Sequence, residues 1–123
     1  MNLSKYIGRE YGTYNCFDLA KEFYSDFFSL ELKNYFEGPV VPNRKEIECL
    51  VISNKGDFER VPRPVFGDIV VINLFGYSSH IGVCVDRRKF LHSTRTAGSC
   101  LDSLPRYSKM IEGFYRHQEL AND

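Results

Sequence analysis

The chain is short of the features that most readily place a protein in a class. It has no excess of either charge, since Lys+Arg and Asp+Glu number 16 each. A protein that grips nucleic acid through its phosphates usually carries a basic excess or stripe, so nucleic-acid binding is not expected. It has no long apolar run. The longest, Ile69 to Phe75, is far below the ~20 residues that cross a bilayer as a helix, so no membrane insertion is expected. The four cysteines, Cys16, Cys49, Cys84 and Cys100, include no Cys-x-x-Cys pair. A structural zinc site is normally built from two close-spaced ligand pairs, so neither a metal nor another cofactor is expected. The opening MNLSKYIGRE lacks an apolar signal core, so export through a signal peptide is not expected. A chain kept from oxidising compartments does not form disulfides, which makes each cysteine a free thiol by default. Internal repeats and low-complexity tracts are missing too, which leaves solenoids and linker-joined modules aside.

What is present suits one folded unit spanning 1–123. The composition is 43% hydrophobic and 15% aromatic, enough to build a core. Leu3 to Ile7 reads as a helical turn closed by Gly8, and Arg9 to Tyr14 as loop. A longer helix is predicted from Cys16, with Ala20, Phe23, Tyr24 and Phe27 on one face and Asn15 as N-cap. Asn43 and Glu46 form a capping-box pattern that opens a second helix reaching about Ile52. From Phe66 onward the pattern changes to short β-rich runs: Asp68–Leu74, His80–Val85, Lys89–Ser93, Ser99–Leu104 and Ile111–Tyr115. Helices first and strands afterwards argue for α+β, with N-terminal helices packed on an antiparallel β-sheet.

Cys16 heads the longest predicted helix. A thiol attacks only as thiolate, and a helix start offers free amides and a positive dipole end that favour that form. The plain alternative is a small apolar residue tucked under the sheet, as expected for the other cysteines. His80 is predicted to open one strand and His92 to lie near the end of the next. The turn between them decides whether they meet. A two-residue loop at Arg87-Arg88 pairs Val83 with His92 and sends the rings to opposite faces. A three-residue loop, Asp86-Arg87-Arg88, pairs Gly82 with His92, and both rings then share a face as diagonal neighbours. Arg-Arg suits a tight primed turn poorly, which favours the longer loop, with Gly82 leaving space opposite His92. Nucleophile, base and orienter are the three parts an activated cysteine needs. His117 reads as a surface or hydrogen-bonded structural residue.

At these residues the sequence resembles the NlpC-like branch of the papain fold, cell-wall hydrolases of bacteria and phages. Tyr14-Asn15-Cys16-Phe17-Asp18-Leu19-Ala20 is similar to the family's nucleophile segment. Pro64-Val65-Phe66-Gly67-Asp68-Ile69-Val70 is similar to its entry into the first core strand. His80-Ile81-Gly82-Val83 and Phe90-Leu91-His92-Ser93, with Gly98 following, resemble its base strand and third-residue strand. The resemblance implies a cysteine peptidase acting on amide bonds of peptidoglycan stem peptides, with Cys16 as nucleophile, His80 as base and His92 as orienter. The Cys16-to-Tyr24 segment resembles forms found in phage tails. That implies synthesis in the bacterial cytoplasm, a place in the virion and contact with other tail-tip proteins, either as an enzyme or as an idle structural subunit. Members commonly place Asp before the cysteine and Ser-Gly after it, where this chain has Asn15, Phe17 and Asp18. Tyr11, in a Gly-x-x-Tyr setting, matches a tyrosine that many members hold near the oxyanion.

Overall fold

The structure, a computed structural model, describes residues 2–32, 58–74 and 77–121. The predicted helix over 43–52 and Cys49 lie outside the described residues.

The fold is organised from Asn15. Its side chain accepts from the Phe17 and Asp18 amides at 3.0 and 2.9 Å, while the Asp18 carboxylate accepts from the Asn15 amide at 3.1 Å. This reciprocal cap satisfies amides that a helix start otherwise leaves bare, and it begins α1 (Cys16–Phe28) at the cysteine. The departures from the family's pattern find their use here. Asn15 and Asp18 make the cap, and Phe17 turns into the core. Leu19, Ala20, Phe23 and Tyr24 form the buried stripe of α1. Phe23 meets the rings of Phe27, Phe66 and Tyr6 at centroid separations of 4.5, 5.3 and 5.5 Å. Such pairs contribute about 0.5–1.5 kcal/mol each beyond their burial.

Six strands follow: β1 (Phe58–Val61), β2 (Ile69–Leu74), β3 (Tyr77–Cys84), β4 (Lys89–Thr94), β5 (Gly98–Ser103) and β6 (Ile111–His117). They form one antiparallel sheet in the order β1-β6-β2-β3-β4-β5. Because side chains alternate across a strand, the sheet buries two different faces. Ile69, Val71, Ile81, Val83 and Leu91 pack under α1. Val70, Ile72, Cys84 and Phe90 face the other way and are covered by Leu104 and Tyr107. A helix on an antiparallel sheet is the α+β arrangement the sequence predicts.

Two elements differ from expectation. Strand β1 carries Glu59 and Arg60 between its end residues, and such a short, charged edge strand shows no apolar alternation in the sequence. β3 begins at Tyr77, so His80 sits inside the strand, opposite Ile72 on β2. Serines that read as turn residues are drawn into the strand by pairing with β2, a tertiary preference overriding a local one.

The Gly67-Asp68 step sets the entry to β2. Gly67 adopts φ +94, its amide donates to the Cys84 carbonyl at 2.7 Å, and its own carbonyl accepts the Tyr24 hydroxyl at 2.5 Å. Asp68 is fully buried and accepts from Nε and Nη2 of Arg116 on β6 at 3.0 and 2.9 Å, and from the Val65 amide at 2.8 Å. At the other end of the sheet the N-terminal segment is laced to β5. The Gly8 amide donates to the Ser99 carbonyl at 2.7 Å and the Ser99 amide to the Arg9 carbonyl at 2.8 Å. Gly98, at φ +69, allows this approach, because a Cβ there would collide with the Arg9 carbonyl oxygen.

Arg116→Met leaves the Asp68 carboxylate buried without its cation, whereas Asp68→Ala leaves a cation that is partly solvated, with 23% of its side chain exposed. Arg116→Met is therefore expected to cost the larger amount, about 3–5 kcal/mol, with Asp68→Ala costing less. Urea unfolding of both variants checks the order.

Candidate active site

The hairpin joining β3 to β4 has the three-residue loop. Val83 pairs with Leu91 and Cys84 with Phe90, and the Val85 amide donates to the Lys89 carbonyl at 3.0 Å. The Asp86 carboxylate binds the Arg88 and Lys89 amides at 2.7 and 2.8 Å and holds the turn. In this register His80 and His92 fall on the same face, and their rings meet: His80 Nε2 lies 2.8 Å from His92 Nδ1. The gap expected at Gly82 is filled by Phe90, whose ring packs on His92 at a centroid distance of 4.5 Å. A Cβ at Gly82 would run into that ring and into the Leu91 carbonyl.

The line of contacts continues to a residue the sequence reading does not single out. His92 Nε2 lies 3.1 Å from Asp102 Oδ2 on β5. Asp102 is held in turn by the Tyr107 hydroxyl at 2.9 Å and the Ser103 amide at 2.8 Å. Its signal was available in the pairing of β4 with β5. His92 stands opposite Cys100, and Asp102 lies two residues further along the same face of β5.

These contacts order the protons. A carboxylate can only accept, so the His92 Nε2 proton points at Asp102, and His92 Nδ1 is left as an acceptor. It takes the proton on His80 Nε2, which leaves His80 Nδ1 unprotonated and free of both partners. Burial opposes charge on Asp102, but the Ser103 amide, the Tyr107 hydroxyl and His92 together hold its carboxyl below the ordinary range.

Cys16 approaches from the other side. The described pairing of β3 with β4 stops at Val83 and Leu91, and α1 begins beside this short ladder. The backbone amides of Ile81, the residue after His80, and of Phe17 and Cys16 itself lie near enough to the Cys16 sulfur to favour negative charge on it. The Ser93 hydroxyl donates to the Tyr14 carbonyl at 2.6 Å, pinning the chain just before the cap to β4. The structure joins His80 to His92 and places Cys16 near the backbone of Ile81, the residue after His80. His117 stands apart, packed between Phe58 and Tyr24, and accepts the Glu119 amide at 3.1 Å.

Charge on the candidate pair differs from the sequence expectation. Burial outweighs the three amides and pushes the Cys16 thiol up to about 11. Burial, and then the neighbouring His92, drive His80 well below the ordinary imidazole value. His92 is lowered as well, by burial that exceeds the pull of Asp102. Both shifts favour the uncharged forms, a thiol at Cys16 and a neutral imidazole at His80.

A cleft of about 460 Å³ lies between residues 8–12 and 95–98. Tyr11 forms part of its wall, whereas Cys16, His80 and His92 do not line it. Burial raises the Tyr11 hydroxyl first, and negative charge at Cys16 raises it further, against the opposing effect of Arg95. A hollow of about 700 Å³ runs along α1 past Lys21 and Leu30, and neither histidine lines it.

No protein-family model and no curated protein matches the chain. Among solved structures it is similar to the crystal structure of the NlpC/p60 domain of the peptidoglycan hydrolase SagA. The two share 15% identity at a TM-score of 0.59, over 91% of this chain and 90% of that one. The fold is that of an NlpC/p60 domain. At this identity the likeness concerns the NlpC/p60 backbone alone, and the side chains of this chain must carry any argument about chemistry. No described helix is long and apolar enough to cross a membrane.

Because both rings are held neutral in the folded state, the unfolded chain takes up their protons first as the pH falls below 6.5. A folded pKa below the unfolded one means that stability rises with pH across that window. Denaturant midpoints are therefore expected to drop as the pH falls from 6.5. His92→Phe, which removes one of these two groups, is expected to flatten that dependence.

Proposed function

We infer that the protein is a cysteine peptidase that hydrolyses amide bonds in the stem peptides of peptidoglycan. The observation that carries this reading is the directional chain Asp102–His92–His80, which presents an unprotonated imidazole nitrogen one residue before Ile81, whose amide favours negative charge on the Cys16 sulfur.

Cys16 is the nucleophile, His80 the base, and His92 the residue that orients the base. The resting pair is neutral, so the thiol proton moves to His80 Nδ1 as sulfur attacks the carbonyl carbon. The Cys16 amide is not used by the Asn15 cap and, with the Tyr11 hydroxyl, faces the oxyanion that develops. As the C–N bond breaks, His80 returns the proton to the leaving amine. Water then attacks the thioester as His80 takes its proton, the C–S bond breaks to release the carboxylic acid, and His80 returns that proton to the Cys16 sulfur. Asp102 keeps His92 in the tautomer that this cycle needs, and so acts as a positioning residue.

The peptidoglycan reading is supported by the likeness of the backbone to a domain of a peptidoglycan hydrolase. It is supported too by the cleft beside Tyr11. Arg95 lies over the Tyr11 ring at 5.8 Å and has no carboxylate partner among the described residues. A guanidinium at the mouth with no described carboxylate partner suits a peptide bearing free carboxylates. The resemblance of the Cys16-to-Tyr24 segment to phage forms supports a place in a phage tail, next to other tail-tip subunits.

A second reading is an idle structural subunit that keeps the fold. It is favoured by the burial of Cys16 and His80, which are 3% and 6% exposed. Digestion of purified muropeptides, followed by mass spectrometry, separates the two. The peptidase reading expects cleavage by the wild type and none by Cys16→Ala, whereas equal behaviour of the two proteins supports the idle subunit. Asp102→Leu cannot accept from His92 and is expected to lower kcat by about 10²–10⁴-fold. Asp102→Asn, whose carbonyl oxygen still can accept, is expected to keep more activity.

A further inference from the structure

Beside the catalytic line, β4 and β5 hold three different donor atoms on one face. His92 and Cys100 are direct cross-strand partners, and Asp102 follows two residues after Cys100. One ligand atom from each of His92, Cys100 and Asp102 lies within 4.8 Å of the other two, and the His92 nitrogen that faces Asp102, at 3.1 Å, is Nε2. In a tetrahedral zinc site with ordinary bond lengths these donors stand about 3.4–3.6 Å apart, so a small closure around a cation suffices. Nitrogen, thiolate and carboxylate together make a donor set suited to Zn²⁺. The outer contacts that such a site needs are in place, since Tyr107 and the Ser103 amide already fix the carboxylate. Cys100 is only half-buried, which gives a cation a way in.

We propose that His92, Cys100 and Asp102 form an inhibitory site for Zn²⁺ or a cation of similar softness. The consequence follows from the order of protons along the chain. A cation on His92 Nε2 displaces the proton there, so the ring must carry its proton on Nδ1 instead. His92 then donates to His80 Nε2 where before it accepted, and His80 holds its own proton on Nδ1. Neither ring changes its total of protons. In effect one proton passes from His92 Nε2 to His80 Nδ1, and Cys100 releases its thiol proton to solvent. The nitrogen that should receive the Cys16 proton is then already occupied, and the base is switched off without being touched.

The effect on catalysis rests on the peptidase reading, whereas cation binding does not. The test therefore begins with the full chain and Cd²⁺ alone, read by the ultraviolet charge-transfer band of a cadmium–thiolate bond. The site predicts a band that persists in Cys16→Ala and is lost in both Cys100→Ser and Cys100→Ala. Zn²⁺ should compete for it, and removing the sulfur should weaken zinc binding at least about tenfold, the smallest cost associated with even an outer partner of a metal site. Zn²⁺ should also slow alkylation of Cys16 by iodoacetamide in the wild type and leave the rate unchanged in Cys100→Ser. A band that survives in Cys100→Ser, one that vanishes in Cys16→Ala, or no band at all overturns the site. Protection of Cys16 that is independent of Cys100 overturns the switch. An inactive wild type with an intact Cys100-dependent band would set aside the peptidase reading and leave the cation site standing.

Discussion

The hydrogen bond between two neutral imidazoles governs the chemistry available here. Each ring has one donor and one acceptor nitrogen, so whatever fixes the proton on one ring fixes it on the other. Asp102 makes that choice from the far end of the line, on β5, two strands over from His80 on β3. A carboxylate in this place does more than attract charge. It converts a symmetric contact, which could run either way, into one with a direction. The three-residue turn at Asp86-Arg87-Arg88 makes the contact possible, and one residue fewer would send the rings to opposite faces.

The helix start supplies the second half of the arrangement under a different constraint. Amides at Ile81, Phe17 and Cys16 favour a negative sulfur, yet burial among core side chains outweighs them. The same packing that fixes the thiol therefore also keeps it protonated. In such a site the sulfur is not a standing anion awaiting substrate. Its activation belongs to the encounter, when proton transfer and bond formation can proceed together.

Much of this is legible in the sequence where local chemistry settles the outcome. Asn15 ahead of Cys16 marks the start of the helix, and the poor fit of Arg-Arg to a tight turn indicates the hairpin register and hence the meeting of the histidines. The less legible parts depend on contacts between distant segments. Asp102 becomes visible only once β5 is aligned against β4. β1 has no apolar alternation to announce it, and its place comes from pairing with β6. The space expected opposite His92 was judged from glycine alone, whereas the ring that fills it comes from Phe90 on the neighbouring strand. Cysteine spacing is a sound guide against a zinc site made of close pairs along the chain. It is blind to donors that a sheet brings together across its width.

The lacing of Gly8 and Arg9 to Ser99 has a consequence for the fate of the molecule in concentrated solution. β5 is the last strand on its side of the sheet, and its outer backbone groups would otherwise be open to any passing extended chain. Gly8 and Arg9 occupy the outer groups of Ser99, so this part of the border is covered by another segment of the same chain. Where that segment is clipped or displaced, the exposed border can recruit its counterpart on another copy, and self-association then competes with the native fold.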